Sequence, residues 1–160
     1  MKRKILCTIP AIFIMAAIFF FSSFEGQDST EQSLMVSFLL AEAGLQLQGE
    51  TVSPEKVFIL AQGIDGYVRK TAHMMEYAIL ALSVWFALSN WTDRKKVIYF
   101  STALICILYA ASDEFHQRFV RFRFGSFEDV MVDAMGITLT IMVLLLIEEG
   151  CLKASPSGRS

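Results

Sequence analysis

Four long apolar runs divide the chain: Ile5–Phe24, Thr71–Ser89, Val97–Ala111 and Val130–Ile147. A bilayer core ~30 Å thick takes roughly 20 residues of helix at ~1.5 Å each. The first run is uncharged, the second carries His73 and Glu76 only at its start, and the fourth holds one charge, Asp133. The third is short, and reaches spanning length by continuing past Asp113 toward Phe119, giving a span of about 97–117. Four transmembrane helices are therefore predicted, over residues 5–24, 71–89, 97–117 and 130–147. The first follows Lys2-Arg3-Lys4 but exceeds the ~7–15 apolar residues of a secretory signal, and Phe21-Ser22-Ser23-Phe24 is a poor cleavage site, so it reads as a retained anchor.

The long connection from Ser22 to Lys70 has a weaker pattern. Ser53-Pro54-Glu55 reads as an N-cap, a first-turn proline and a first-turn acid. Val57, Leu60, Ala61, Ile64 and Val68 then recur at helical spacing, though Gly63 and Gly66 weaken the element. Leu34, Phe38, Ala41 and Leu45 form a similar stripe within Glu31–Leu47. Both segments are expected to be amphipathic interfacial helices, the alternative being a flexible loop.

Charge orients the bundle. With both termini inside (N-in/C-in), Lys2, Arg3, Lys4, Arg94, Lys95, Lys96, Lys153 and Arg159 face the cytoplasm; Lys56, Arg69, Lys70, Arg118, Arg121 and Arg123 face out. Lys56 lies in the long loop, which counts little in the positive-inside rule. The expected architecture is an all-α membrane protein, one transmembrane domain over residues 1–150 with amphipathic interfacial helices in a long first outer loop, and a disordered cytoplasmic tail over 151–160. Composition agrees, since 54% of the residues are hydrophobic, above the ~45–50% apolar share of soluble domains. A net charge of −2 gives no basic excess to neutralise phosphates, which argues against a nucleic-acid partner. Cys7, Cys106 and Cys151 show no ligand or disulfide spacing and read as packing residues.

The expensive residues are polar ones inside the spans, each costing ~2.5–3.5 kcal/mol near mid-membrane on insertion scales. Arg69, His73, Glu76 and Leu80 share one helical face. Tyr109, Asp113, His116 and Gln117 share another, and Ser126, Asp129, Asp133 and Gly136 a third. The second span begins, the third ends and the fourth begins on the same side, so these faces converge in one polar layer to which the first span contributes little. Arg118, Arg121 and Arg123, interleaved with Phe119, Phe122 and Phe124, supply an anion-binding rim or an ion-pair network. Glu114, Glu128 and Arg123 also fit a solvated or snorkelling reading. For His73, Glu76, Asp113 and Asp133 the competing account is an ion-pair lock between helices, and for Gly136 a close helix approach.

The motifs His73-Met74-Met75-Glu76-Tyr77 and Ser112-Asp113-Glu114-Phe115-His116-Gln117, an arginine, then Gly125-Ser126, Asp129, Asp133 and Gly136, together resemble the VanZ-like family. Phe21-Ser22-Ser23 fits as well, and the resemblance extends over about residues 5–147. Arg121-Phe122-Arg123-Phe124 departs from the pattern, which has glycine or proline beside the arginine, so more than one arginine is a candidate for that position. The resemblance implies a multi-pass protein of the bacterial cytoplasmic membrane. The family is named for a member linked to resistance to glycopeptides such as teicoplanin, which is a phenotype rather than a reaction.

Two functions are weighed ahead of a structural or transport role, and transport through only four spans would need oligomerisation. In the first, a non-catalytic site made from His73, Glu76, Asp113, Glu114, His116, Gln117, Asp129 and Asp133, with Arg69, Arg118, Arg121 and Arg123 for anions, binds membrane lipids, a cell-wall precursor or a lipid-tailed antibiotic at the outer leaflet. In the second, the same layer is a membrane-embedded enzyme acting on an envelope lipid by acid/base chemistry or with a divalent metal at His73, Glu76, Asp113 and His116. No H-E-x-x-H or nucleophile motif supports the second, and no cofactor is expected.

Overall fold

The computed structural model describes residues 2–154, without the side chains of residues 2, 27–29 and 152–154. The described residues form five helices and no strand: α1 (Lys2–Ser22), α2 (Gly26–Leu47), α3 (Pro54–Ser89), α4 (Lys95–Gln117) and α5 (Phe127–Ala154). By length and composition α1, α3, α4 and α5 can each cross a membrane.

Two boundaries differ from the sequence reading. The amphipathic segment after Ser53 and the second span are one unbroken helix, α3. Ser53 caps it, accepting a hydrogen bond from the Lys56 N–H at 3.3 Å, with Pro54 in the first turn. Gly63 and Gly66 do not interrupt it, because tertiary packing against α2 offsets the ~1 kcal/mol propensity cost of each glycine. At its other end α5 continues to Ala154, so residues 151–154, expected in the tail, are helical; residues 155–160 and the side chain of Lys153 lie outside the described residues.

Helix α3 packs against all four other helices. At ~1.5 Å per residue it is about 54 Å long, well beyond the ~30 Å of a hydrocarbon core. Its N-terminal half forms an antiparallel hairpin with α2. Ser37, Ala41 and Leu45 of α2 are buried with Ala61 and Asp65 of α3, and the Ser37 hydroxyl donates to Asp65 at 3.2 Å.

The C-terminal half of α3 is the bundle centre. Tyr77, Leu80, Ala81 and Val84 pack with Ala11 and Ile18 of α1, Cys106 and Ala110 of α4, and Ile137 of α5. Small residues let the backbones approach. Gly136 is the tightest such point described in α5: a Cβ built there meets the Met74 carbonyl oxygen of α3. One turn deeper, the Thr140 hydroxyl reaches the Ala78 carbonyl at 3.3 Å.

Candidate functional site

The polar layer is assembled at the end of the bundle where α1 and α4 finish and α2 and α5 begin. Its scaffold is the α4–α5 connection. Gly125 crosses directly over α4, where a Cβ would meet the Glu114 carbonyl oxygen. The Glu114 carboxylate in turn accepts the Ser126 N–H at 3.1 Å. Ser126 caps α5 in the manner its S-x-x-D sequence favours: its hydroxyl oxygen accepts the Asp129 N–H at 3.1 Å, and the hydroxyl donates to the Asp129 carboxylate at 2.8 Å. Phe122 adopts a left-handed conformation, φ 58°, which costs a non-glycine residue about 1–2 kcal/mol. The start of α2 holds this turn, Gly26 donating its N–H to the Arg121 carbonyl at 3.0 Å.

Asp113 is the hub on α4. It is 3% exposed and accepts the Ser22 hydroxyl at 2.6 Å and the Gln117 amide at 3.1 Å; Gln117 also donates to Glu114 at 3.3 Å. The first span thus contributes directly, contrary to the sequence reading. Phe21 gives its carbonyl to the Arg123 guanidinium at 3.2 Å, Ser23 lies 3.4 Å from His116, and Phe19 stacks on the His116 ring at 4.6 Å. Ser22→Ala is expected to cost about 1 kcal/mol, the net worth of one buried hydrogen bond, read as a lower thermal midpoint of the purified protein.

Two adjoining cavities open at this end. The first, about 320 Å³, is polar: Arg69, Lys70 and His73 of α3 face Glu114 and Gln117 of α4, Arg123 and Ser126 of the connection, and Asp129 and Asp133 of α5. The second, about 300 Å³, lies between α1, α2 and α3 with Ile18, Phe21, Val36, Val68 and Ala72 as apolar walls and Ser22, Glu76 and Asp113 among its polar groups. Arg69, His73 and Arg123 line both. Burial draws the Arg123 guanidinium below its ordinary value, and the nearby Asp113 and Glu114 oppose that shift.

The remaining candidates divide. His73 and Glu76 approach to 3.9 Å across one turn, and Lys70 comes within 3.9 Å of Asp129. Asp133 is 1% exposed, with neither carboxylate oxygen hydrogen-bonded. His116 lines neither cavity. Arg118 is turned away to the Gly125 carbonyl at 3.3 Å, and Arg121 lies over the Phe122 ring. Neither lines the cavities, so the expected rim of three arginines is replaced by Arg69, Lys70 and Arg123. Of the quartet His73, Glu76, Asp113 and His116, the first three line the second cavity and His116 does not, and among the described residues no three His, Cys, Asp or Glu side chains are placed to hold a metal ion.

Ser22, Ser23 and Lys70 are the site residues that the sequence reading left out. The Phe21-Ser22-Ser23 step from apolar to hydroxyl side chains, at the depth of Asp113, was the available signal for the first two.

No curated protein and no solved structure matches the chain. The family model described as VanZ/LLP1 matches residues 7–148, covering all four membrane-length helices nearly in full. The chain therefore belongs to the VanZ/LLP1 family and is a helical membrane protein of that family.

Proposed function

We propose that the polar end faces the outside of a bacterial cytoplasmic membrane and binds a lipid-tailed molecule through its anionic headgroup. The observation that carries this reading is the pair Arg69 and Arg123, shared by a polar cavity and an adjoining cavity with apolar walls. A phosphate or carboxylate held by two guanidinium groups would sit at that junction, its tail lying along α1, α2 and α3. An anionic phospholipid, a lipid-linked cell-wall precursor and a lipid-tailed glycopeptide share this chemistry. Capture of the last would be the route to glycopeptide resistance.

Charge at the other end supports the orientation. Lys4 donates to the Trp91 carbonyl at 3.5 Å and lies over the Trp91 ring, while Lys95 pairs with Glu148 at 2.7 Å. With Arg3, Arg94 and Lys96 these residues form a basic end opposite the cavities, which the positive-inside rule assigns to the cytoplasm, with both termini inside.

Arg123→Gln and Arg69→Gln are each expected to weaken binding of phosphatidylglycerol to the purified protein by tenfold or more, since a hydrogen bond to a charged group is worth ~1.5–3 kcal/mol. Native mass spectrometry with the lipid titrated into detergent reads this directly. Unchanged affinity in both variants, for phosphatidylglycerol, cell-wall precursor and lipoglycopeptide alike, overturns the proposal.

A further inference from the structure

The polar cavity is not built for an anion alone. Asp133 lines it, is 1% exposed, and has both carboxylate oxygens without a hydrogen-bond partner. The carboxylates beside it are provided for: Glu114 accepts from Ser126 and Gln117, and Asp129 accepts from the Ser126 hydroxyl with Lys70 nearby. A buried polar group left unpaired is costly, and a carboxylate is satisfied only by donors. An ionised Asp133 would meet a simple anion as a like charge, and a cation as an opposite one. The Arg69, Lys70 and Arg123 part of the cavity lining makes the opposite demand.

We infer that the headgroup is zwitterionic, a phosphate ester carrying a primary ammonium, as in phosphatidylethanolamine. This rests on the headgroup-binding reading above and names the class of lipid bound. The phosphate meets Arg69 and Arg123. The ammonium, with three N–H donors and no acceptor, meets the two oxygens of Asp133 and has one donor left for Glu114 or Asp129. A quaternary ammonium has no N–H to give, and a glycerol headgroup supplies hydroxyls without charge.

The test compares phosphatidylethanolamine, phosphatidylcholine and phosphatidylglycerol on the purified full chain by native mass spectrometry in the presence of EDTA. Wild-type protein should prefer phosphatidylethanolamine over each of the others by about fivefold or more, because the ammonium adds charge-assisted hydrogen bonds. Asp133→Asn, nearly the same size, should abolish that preference, phosphatidylethanolamine falling to the level of phosphatidylglycerol measured on the same variant. Equal wild-type affinities overturn the inference, as does a preference that survives in Asp133→Asn. So does phosphatidylglycerol binding that rises to the phosphatidylethanolamine level when Mg²⁺ replaces EDTA, which would make an inorganic cation the partner of Asp133. If Asp133→Asn does not fold, the three-lipid comparison on wild-type protein decides alone. If Arg123→Gln and Arg69→Gln leave all three lipids bound equally well, the anion site itself is refuted; if they weaken all three while wild type shows no preference, only the ammonium site is.

Discussion

Gly136→Val is expected to abolish or severely destabilise the folded bundle. At this point α5 rests on the backbone of α3, and even the first added carbon meets the Met74 carbonyl oxygen. That oxygen belongs to the helix backbone and cannot swing aside as a side chain can, so the helices must separate. Overpacking costs about 1–3 kcal/mol where a core can adjust, and a rigid backbone contact lies at or above the top of that range. Gly136→Ala should fall near ~3 kcal/mol and Gly136→Val beyond it. Unfolding in mixed micelles of increasing denaturing detergent measures both. Gly63→Ala is the internal comparison: a Cβ there meets nothing within 4 Å, and the gain in helix propensity should stabilise by about 0.5–1 kcal/mol. Equal midpoints for the position 63 and 136 variants would refute the close-approach account.

The second large effect is expected at Asp113. In Asp113→Ala the buried Ser22 hydroxyl loses its acceptor on α4, and Gln117 retains only its longer bond to Glu114. Each donor keeps a second acceptor, Ser22 the Phe19 carbonyl at 3.2 Å and Gln117 the Glu114 carboxylate at 3.3 Å, so the loss is that of two hydrogen bonds at ~0.5–1.5 kcal/mol each, about 1–3 kcal/mol together. The damage should reach the ligand as well, since α1 carries the Phe21 carbonyl that holds Arg123. Phosphatidylglycerol affinity and the thermal midpoint should therefore fall together in Asp113→Ala. Asp113→Asn can still accept from Ser22 but offers an N–H toward the Gln117 amide, and should lie between wild type and alanine. A stable Asp113→Ala protein would show that the Ser22 link is incidental.

Apolar length made the four membrane-length helices readable, and in α4 it mattered that the helix was carried past Asp113 to Gln117. The continuity of α3 was hidden because its stabilising term is contact with α2, which no local propensity around Gly63 and Gly66 reveals. Angular spacing explains the two fates of the α4 residues. Gln117 lies 40° from Asp113 around the helix and follows it inward, whereas His116 lies 60° away on the other flank and meets Phe19 of α1. For Arg118, Arg121 and Arg123 there is no helical period to follow. Which of them turns inward is decided by the left-handed turn at Phe122 and its clamp on Gly26, both tertiary facts. Ser22 was obscured by its modest chemistry, since a hydroxyl at a helix end satisfies itself locally in most settings and needs no distant carboxylate.

Because α3 is unbroken, the hairpin and the cavities share one rotational register. Asp65 meets Ser37 of α2, Arg69 and His73 reach both cavities, and Met74 receives Gly136, all within three turns of one helix. One residue added or removed between Asp65 and Arg69 would twist the two halves by about 100° against each other, detaching either α2 or the arginine from its place. Torsional phase along α3, rather than the polarity of any one side chain, is what ties the α2–α3 hairpin to the pocket beside it.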